Sequence, residues 1–359
     1  MMSVHIDTQP EWRGGQNQIL LTLRGLRARG HDAELLALDG GPLATRAAAE
    51  GFRVHCIPRG GVRIGATRIL RRLLALRTFQ VVHAHDPHGL TAAWLARAHC
   101  HAVLVAHRRV VAPLSKGKIA LARYRAAHGI FAISKLIARN VIASGIDPAR
   151  VDVIYDGVEI PALGTPRMCD EARQGFGLAP DQIVLGYSAY MTGGKDHETL
   201  LLAMPAVLKH FSNCKLLLVG DGARRRELAT IAIGLGIARS VLFAGFVEKI
   251  DDFFRSLDLF LFPAIGEGLG SSLLAAMSHG IPSIAASSGG VPEVIETEKS
   301  GLLVPPSSPA LFAEAILRLL RNGGEARGLG AAGRRRVEEQ FSADHMVERV
   351  LERYFGNPQ

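Results

Sequence analysis

Cysteine is scarce in this sequence, and long hydrophobic runs are missing from it. The four cysteines, Cys56, Cys100, Cys169 and Cys214, lie far apart and form neither a paired motif nor a metal-ligand spacing. We therefore expect reduced, buried thiols, as in a cytoplasmic protein. No run of about eighteen apolar residues occurs, and no charged start precedes an apolar stretch. These absences predict neither a membrane-spanning helix nor a secretory signal.

The three-glycine fingerprint of dinucleotide-binding enzymes is also missing. The first glycine loop reads Trp12-Arg13-Gly14-Gly15-Gln16, which lacks the required spacing. This absence disfavours a simple dinucleotide dehydrogenase.

Charge is unevenly distributed along the chain. Of its 359 residues 48% are hydrophobic and 21% are charged, which allows a sizeable core and suggests two domains. Residues 1–165 carry 22 Lys and Arg against 11 Asp and Glu, a formal charge of +11, whereas residues 166–359 carry 20 against 22, a charge of −2. The excess favours an anionic partner for the first half. A solvated, Arg-rich surface explains it equally well.

Short apolar runs alternate with helical periodicity, which favours parallel, doubly wound sheets of the α/β class. The predicted strands are 4–6, 33–38, 54–57, 80–86, 103–110 and 129–134 in the first half, and 182–188, 215–220, 241–247 and 257–263 in the second. Ser134 is the predicted N-cap of a helix over 135–144. Residues 161–166 have the Pro, Gly and Thr composition of a linker.

A basic amphipathic helix is predicted over 65–76. Its arginines, Arg68, Arg71 and Arg72, alternate with apolar residues. The pattern suits a helix that lies on an anionic membrane surface, and it equally suits an ordinary surface helix.

The most informative stretch is a strand, a glycine loop and a helix start. The apolar run 257–263 has the length of a buried strand, and Pro263 ends it. Gly268 and Gly270 allow a tight loop, after which 271–278 has helical spacing. Such a junction leaves helix N–H groups without partners and directs the positive end of the helix dipole at the loop. It predicts a phosphate or diphosphate site, with Glu267 reaching toward a polyol.

Several motifs resemble the donor-site signature of the family 4 retaining glycosyltransferases, of the group 1 type. They are Glu267-Gly268-Leu269-Gly270, the run Ala276-Met277-Ser278-His279-Gly280-Ile281-Pro282, Gly289-Gly290-Val291-Pro292-Glu293 and Gly301-Leu302-Leu303-Val304, in the expected order. The resemblance covers essentially the whole chain. It implies the GT-B fold, in which two Rossmann-like, doubly wound domains face a central cleft. The implied parts are an acceptor-binding domain over 1–163, a nucleotide-sugar-binding domain over 164–340, and a C-terminal helix over 341–359 that packs back toward the first domain.

The resemblance also implies a donor site in the second half. Lys195 is the predicted side-chain cation for the diphosphate, and Glu267 is predicted to bind hydroxyls of the donor sugar. Both are candidate catalytic residues. The rest of the predicted donor cradle consists of Gly15, Tyr190, Val247, Gly268, Leu269, Gly270, Ser271, Ser272 and Ala275. Phe246 stands beside Val247 where relatives hold the nucleotide base with main chain.

Two of these positions depart from the family pattern. Relatives pair the lysine with an arginine five residues earlier, where this chain has Tyr190. They also carry a second glutamate that binds the ribose hydroxyls, where this chain has Ala275. Losing hydrogen bonds to a charged partner costs about 1.5–3 kcal/mol. The chain therefore holds its donor differently, takes an unusual donor, or is a weakened relative; we expect it to be active.

A second set of candidates lies in the first half. In relatives the first glycine loop contacts the acceptor or the transferred sugar, so Gly14 and Gly15 are candidates, with a plain turn as the alternative. His107 matches a histidine near the transferred sugar, where a neutral imidazole hydrogen-bonds a hydroxyl, and it is the third candidate catalytic residue. Arg108 and Arg109 are predicted to bind an anionic acceptor group.

His83-Ala84-His85-Asp86 ends a predicted strand, where open α/β sheets place ligands. Two histidines with an aspartate suggest a metal site, but no partner cluster elsewhere in the sequence completes one. No metal is therefore predicted.

The predicted function is transfer of a sugar from a nucleotide-sugar donor to a glycan or lipid-linked acceptor, with retention, in cell-envelope polysaccharide or lipopolysaccharide synthesis. No cofactor is predicted beyond the donor substrate. An anionic membrane surface, the inner face of the plasma membrane, is one interpretation of the basic half, and no nucleic acid is expected as a partner. Two alternatives stay open. One is a nucleotide-sugar epimerase, which needs acid and base carboxylates, and the other is a nucleotide-sugar-binding protein that has lost turnover.

Overall fold

The computed structural model describes residues 1–115 and 117–356. Contacts divide the chain into two compact units, of which unit 1 comprises Met1–Gly157 with Ala343–Gln359 and unit 2 comprises Val158–Ser342. The sequence divided the chain at 163/164 and at 340/341, whereas the contacts divide it at 157/158 and at 342/343.

Unit 1 contains a parallel sheet whose strands alternate with helices along the chain. The strands are β1 Met2–Ile6, β2 Asp32–Leu38, β3 Val54–Ile57, β4 Val81–Ala84, β5 Val103–Arg108, β6 Gly129–Ala132 and β7 Val151–Val153. The helices between them are α1 Gly14–Ala28, α2 Pro42–Ala49, α3 Val62–Leu76, α4 Pro87–Leu95, α5 Lys118–Arg125 and α6 Lys135–Ala143. Ser134 caps α6 as predicted, because its hydroxyl accepts a hydrogen bond from Ile137 N at 3.3 Å.

The strand order of unit 1 is β3-β2-β1-β4-β5-β6-β7. β1 pairs in parallel with both β2 and β4, so the direction of winding reverses between β1 and β4. At such a reversal the loops that follow the two strands diverge, which leaves a crevice at the carboxyl edge of the sheet. The loops after β1 and β4 therefore border a natural binding position.

Unit 2 repeats this plan with a second parallel sheet, in the order β10-β9-β8-β11-β12-β13. The strands are β8 Ile183–Ser188, β9 Cys214–Val219, β10 Val241–Gly245, β11 Leu259–Phe262, β12 Ser283–Ala286 and β13 Leu302–Val304. The helices are α7 Pro166–Gly175, α8 His197–Leu208, α9 Arg225–Gly234, α10 Ile250–Arg255, α11 Ser271–Ser278, α12 Val291–Val294, α13 Pro309–Arg321 and α14 Gly323–Gln340. The winding reverses between β8 and β11, so the loops after these two strands border the crevice of this unit.

The last helix, α15 Ala343–Phe355, belongs to unit 1. Its apolar side chains, Met346, Val347, Val350 and Tyr354, join Leu26 of α1 in one buried cluster. Within the described parts of the chain, none of the helices has the length and apolar character that crossing a membrane requires.

The expectation that all four thiols are buried is wrong for two of them. Cys56 and Cys100 are exposed, Cys169 is partly buried, and Cys214 is buried. Cys56 lies on β3, which is an edge strand, and Cys100 lies in a single 3-10 turn next to β5. At both positions the side chain faces away from the core, which composition alone does not reveal.

Candidate functional site

The glycine loop of unit 2 leads directly into a helix without a capping side chain. β11 ends at Phe262, and α11 begins at Ser271 as the sequence predicted. Gly270, the N-cap residue, has a φ of +106°, and among the described residues α11 has no side-chain cap hydrogen bond. A left-handed φ favours glycine, which cannot cap. The start of α11 therefore presents N–H groups that suit an anion.

Lys195 and Glu267 lie next to each other at the same crevice. Lys195 is in the loop after β8 and Glu267 is in the loop after β11, and these strands are neighbours. Ile265 N donates to Gly194 O at 2.9 Å, which joins the two loops. Lys195 Nζ forms an ion pair with Glu267 Oε1, and the two side chains are 31% and 21% exposed. The predicted cation and the predicted sugar-binding carboxylate are thus adjacent and accessible.

Tyr187, which the sequence did not single out, forms a hydrogen bond with the loop that carries Lys195. It is fully buried on β8, and its hydroxyl donates to Lys195 O at 3.0 Å. Burial, with smaller contributions from the Glu267 and Asp196 carboxylates, raises the pKa of Tyr187 well above its ordinary value. The hydroxyl therefore stays protonated and keeps donating.

Glycines behind these loops allow a close approach between main chains. Gly289 has a φ of +64°, and an ideal Cβ there would lie 2.1 Å from Glu267 O. Gly290 N donates to the same oxygen at 2.9 Å. Gly220 plays the same part behind the lysine loop, since its Cβ would lie 2.1 Å from Ala189 O. Larger residues at these positions would push the site loops outward.

The other donor candidates surround the same crevice or follow a nearby strand. Ser271 is exposed and Ser272 is half-buried at the start of α11, Gly268 and Ala275 are half-buried, Leu269 is buried, and Tyr190 is 47% exposed. Directly after β10, Phe246 is 78% exposed and Val247 is half-buried. The structure brings Lys195, Glu267 and the start of α11 together, and the binding roles stay predictions.

A cavity of about 390 Å³ lies in unit 1, where the loops after β1 and β4 diverge. Four predicted residues line it, namely Gly15, His107, Arg108 and Arg109. Gly14 is exposed at the first position of α1. Asp7 also lines the cavity, although the sequence analysis did not name it as a candidate site residue. Its position directly after the first strand was the available signal, since ligands bind at the carboxyl ends of parallel strands.

Asp7 is a buried carboxyl group with weak partners. Gln16 Nε2 lies 3.3 Å from each of its oxygens, and Gln9 N donates to it at 3.3 Å. Burial, with the Asp86 carboxylate second, raises the pKa of Asp7 from 3.8 to about 7. Perturbed groups of this kind cluster at functional sites, so Asp7 is a candidate to bind a substrate hydroxyl.

Both predicted acceptor arginines have partners inside unit 1. Arg108 Nη2 donates to Ala112 O at 2.5 Å, and Arg109 Nε donates to Asp156 Oδ1 at 3.1 Å. The Arg109 side chain is only 13% exposed. Arg109 thus forms an ion pair with Asp156, and the acceptor role of the two arginines stays a prediction.

Four buried histidines cluster at this end of the sheet: His5, His83, His85 and His107. The rings of His83 and His85 stack with centroids 4.0 Å apart. Burial lowers the pKa of each ring, that of His5 to about 3, so the imidazoles are neutral near pH 7. One nitrogen from each of His5, His83 and His85 lies within 4.8 Å of the others, so these three could hold a metal. No third ligand for the His83 and His85 pair was evident in the sequence, because His5 lies 80 residues before His85.

Two family models match the chain. Residues 12–160 match the model described as Glycosyltransferase Family 4, and residues 182–322 match the model described as Glycosyl transferases group 1. Together the matched segments include Lys195, Glu267 and α11 of unit 2 and most residues that line the unit 1 cavity, but not Asp7.

Related sequences carry names of the same kind. An uncharacterized glycosyltransferase of Methanocaldococcus jannaschii is 28% identical over 231 residues, which cover 63% of this chain and 59% of the relative. A GDP-mannose-dependent alpha-(1-6)-phosphatidylinositol monomannoside mannosyltransferase of Mycobacterium tuberculosis is 29% identical over 225 residues, which cover 60% of this chain and 58% of the relative. The matches therefore span less than two thirds of the length of these relatives.

A solved structure, that of Anabaena HepE in complex with UDP and glucose, matches with a TM-score of 0.87 at 19% identity over 99% of both chains. The lipopolysaccharide outer core galactosyltransferase WaaB matches with a TM-score of 0.75 at 18% identity over 99% of both chains. At these identities the matches establish a shared fold. The predicted GT-B fold class, with two parallel α/β domains, is confirmed.

Proposed function

Because the chain belongs to the family 4, group 1 glycosyltransferases, we propose that it transfers a sugar from a nucleotide-sugar donor to an acceptor. In this proposal unit 2 binds the donor, and unit 1 supplies residues for the acceptor and the transferred sugar. The observation that carries the proposal is the meeting of Lys195, Glu267 and the uncapped start of α11 at one switch point. A crevice of this kind is where open α/β sheets bind nucleotides.

The ion pair of the donor crevice suggests how the donor enters. A diphosphate competes with Glu267 for Lys195 and accepts hydrogen bonds from the start of α11. Partly exposed ion pairs contribute about 0–1 kcal/mol, so opening this one costs little. Glu267 is then free to accept hydrogen bonds from hydroxyls of the donor sugar. Lys195 and the helix stabilise the negative charge that grows on the diphosphate as the sugar leaves.

We further propose that the transferred sugar is a hexose, that its anomeric configuration is retained and that no metal takes part. A lysine and a helix N-terminus supply the positive charge that the leaving diphosphate needs. His107, a neutral imidazole, hydrogen-bonds a sugar hydroxyl without bringing a full charge. The anomeric coupling constant of the product, read by NMR, tests retention, and a product of inverted configuration would refute it.

Calorimetric titration with UDP-glucose and with GDP-mannose tests the donor crevice. Lys195→Ala should weaken binding of the preferred donor about 10- to 100-fold, the equivalent of a charge-assisted hydrogen bond. Lys209→Ala is the matched control, because it removes the same charge from an exposed position at the end of α8. Equal donor affinity in the wild type and in Lys195→Ala would remove the assigned site.

Donor binding, measured together with hydrolysis and transfer of the donor, separates the glycosyltransferase from the two alternative functions. Tyr190 and Ala275 favour a second candidate, a nucleotide-sugar-binding protein without turnover. Saturable donor binding with no hydrolysis and no transfer to a wide acceptor set would support that candidate. Formation of an epimerised donor in the absence of any acceptor would instead indicate an epimerase.

For the acceptor we propose an anionic or lipid-linked glycan at an anionic membrane surface, and on this ground a role in cell-envelope polysaccharide or lipopolysaccharide synthesis. Residues 51–146 carry 16 Lys and Arg but a single acidic residue, Asp86, which is buried. Within this segment α3 exposes Arg68 and Arg72, and its Ile64 is 60% exposed. Exposed arginines next to exposed apolar side chains suit an anionic lipid surface.

Sedimentation with phosphatidylglycerol vesicles over a salt series tests the membrane part of the proposal. The wild type should sediment at low ionic strength and be released as salt screens the charges. Arg68→Glu combined with Arg72→Glu should abolish binding. Arg321→Glu combined with Arg327→Glu makes the same charge change at exposed positions of unit 2 and should leave it intact. Binding that is insensitive to salt, or lost equally in both variants, would count against a basic docking face on α3.

A further inference from the structure

Arg109 lies where two chains of buried hydrogen bonds begin. Its Nε is anchored to Asp156 Oδ1 at 3.1 Å. Its Nη1 lies 3.4 Å from His85 Nδ1, and its Nη2 lies 3.4 Å from His107 Nδ1. A guanidinium group only donates hydrogen bonds, so each histidine nitrogen that it meets must carry a lone pair. Arg109 therefore selects one tautomer for both rings.

The first chain runs from His107 to the last helix. His107 Nδ1 lies 3.2 Å from His83 Nε2, and His83 Nδ1 lies 2.6 Å from the hydroxyl of Tyr354 on α15. Because His107 Nδ1 is an acceptor, His83 Nε2 must hold the proton of that ring. His83 Nδ1 is then an acceptor as well, and the Tyr354 hydroxyl donates to it.

The second chain, which also begins at Arg109, is consistent with this assignment. With a lone pair on Nδ1, His85 holds its proton on Nε2 and donates to His5 Nδ1 at 3.0 Å. His5 then holds its proton on Nε2, which lies 3.2 Å from Ser3 Oγ. Each link then pairs a donor with an acceptor, and the single lone pair of His107 Nδ1 is shared by two donors, Arg109 Nη2 and His83 Nε2. The opposite tautomers would place N–H groups of Arg109 against N–H groups of the rings.

Burial keeps the members of both chains neutral. His5, His83, His85 and His107 are at most 6% exposed, and burial lowers the pKa of each. Burial also raises the pKa of Tyr354 well above its ordinary value, so its hydroxyl remains a donor. Each ring thus has one proton, and the hydrogen bonds decide which nitrogen holds it.

We propose that Tyr354, acting through His83, and Arg109 are positioning residues that hold His107 as the Nε2–H tautomer. His107 Nε2 has no hydrogen-bond partner among the described residues, and Asp156 Oδ1 is 4.0 Å away. His107 also lines the unit 1 cavity. The ring therefore holds an unused N–H donor that is enclosed in this structure, and a substrate oxygen reaches it once the cavity wall moves. That use of the donor rests on the proposed function, whereas the tautomer does not.

Metal binding by His5, His83 and His85 is the competing explanation of the cluster. The nitrogens that a metal would need already face each other at hydrogen-bond distance, as in the 3.0 Å contact between His5 and His85. The positive charge of Arg109 lies 3.4 Å from His85 and would repel a cation. Both observations favour the hydrogen-bond chains.

Nitrogen-15 NMR of the full chain, labelled at histidine, tests the tautomers directly. Two-bond correlations distinguish Nε2–H, Nδ1–H and charged rings, and a His107→Asn variant assigns the His107 signals. We expect His107, His83, His85 and His5 to be neutral Nε2–H tautomers at pH 7 in the wild type. A His107 ring that is charged or protonated on Nδ1 would overturn the proposal without any variant. Loss of these signals on addition of one equivalent of Zn²⁺ would overturn it in favour of a metal site.

Tyr354→Phe tests the remote link, with Tyr124→Phe as a control that removes another buried hydroxyl of unit 1. Tyr354→Phe should mix the tautomers of His83 and His107 and lower kcat about fivefold at unchanged donor KM, the equivalent of one neutral hydrogen bond. Tyr124→Phe should change neither. Wild-type tautomers in Tyr354→Phe would overturn the proposal. Mixed tautomers in Tyr354→Phe, together with no detectable sugar transfer by the wild type, would uphold the tautomer proposal. That result would count against the proposed function instead.

Discussion

The substitution Gly289→Ala, which adds a single methyl group, tests most directly how the loop that carries Glu267 is positioned. A Cβ at this glycine would lie 2.1 Å from Glu267 O, 2.8 Å from Glu267 N and 3.0 Å from Glu267 C. These are main-chain atoms, which cannot rotate away as a flexible side chain would. Gly289→Ala must therefore displace the loop that carries Glu267.

The size of the effect follows from the same distances. Real Cβ atoms essentially never approach closer than 3.0 Å, so the two loops must separate by about 1 Å. A misplacement of about 1 Å at a reacting site costs about 100-fold in rate. The φ of +64° adds about 1–2 kcal/mol of backbone strain for alanine. We expect a lower melting temperature together with a large loss of donor affinity and turnover.

Gly266→Ala is the matched control, because Gly266 has a φ of +70° but nothing within 4 Å of its Cβ position. It adds the same backbone strain next to Glu267 without the collision. Thermal unfolding should show a comparable loss of about 1–2 kcal/mol from backbone strain in both variants. Calorimetric titration with the preferred nucleotide sugar should show a loss of at least about tenfold for Gly289→Ala and at most about twofold for Gly266→Ala. Equal donor affinities in the two variants would refute the idea that Gly289 positions Glu267.

Three further predictions concern ionisation, thiols and the ribose contact. The pKa of Asp7 is about 7 in the fold against 3.8 ordinarily, so its contribution to stability is present below pH 4 and is lost as pH rises through 7. Asp7→Asn should therefore be more stable than the wild type at pH 8, by up to about 4 kcal/mol, and not at pH 4; equal melting curves at pH 8 would contradict this. A thiol reagent should modify the exposed Cys56 before Cys214, because Cys214 is buried; burial raises the pKa of both thiols, that of Cys214 to about 12. Mass spectrometry of the digest, read over time, would contradict this if Cys214 were modified first. Ala275→Glu should tighten binding of ribonucleoside diphosphates about tenfold and that of their 2′-deoxyribose analogues, which keep the 3′-hydroxyl, by less; equal gains for both would exclude a contact to the 2′-hydroxyl.

The strand, glycine loop and helix start of unit 2 could be predicted from the sequence because their signals are local. The signals lie within about twenty residues of each other: Pro263, two glycines, and apolar residues at helical spacing. α11 begins and ends at the predicted positions. The adjacency of Lys195 and Glu267 was less local, since it depends on β8 and β11 being neighbours. The family resemblance placed both residues in one donor site, but it did not predict their ion pair.

α14 shows where local reasoning fails. This helix, Gly323–Gln340, contains glycines at 328, 330 and 333, which predict a loop by propensity. In the fold a Cβ at Gly330 would lie 2.2 Å from Gly280 O, and one at Gly333 would lie 2.9 Å from Ser300 O. The glycines thus allow α14 to pack closely on neighbouring main chain. Tertiary contact, not helix propensity, determines their presence.

The histidine cluster of unit 1 could not be predicted from the sequence for a related reason. The parallel pairing of β1 with β4 brings His5 level with His83, and no periodicity in either strand encodes that register. The Tyr354 contact is still more distant, at a separation of 271 residues from His83. Sequence reasoning identified His107 by resemblance but had no means of finding the hydrogen bonds that orient it.

The two switch points share a topology but differ in electrostatics. In unit 2 positive charge is preorganised, because α11 lacks a cap and the partner of Lys195 is a partly exposed carboxylate. In unit 1 burial suppresses charge, because the imidazoles are neutral, the pKa of Asp7 is raised, and Asp156 balances Arg109. A diphosphate needs the first environment, since it brings its own charge. Sugar hydroxyls suit the second, since neutral donors and acceptors bind them without the cost of burying a charge. The proposed division of roles between the units rests on this difference in side chains, since the fold that they share does not assign it.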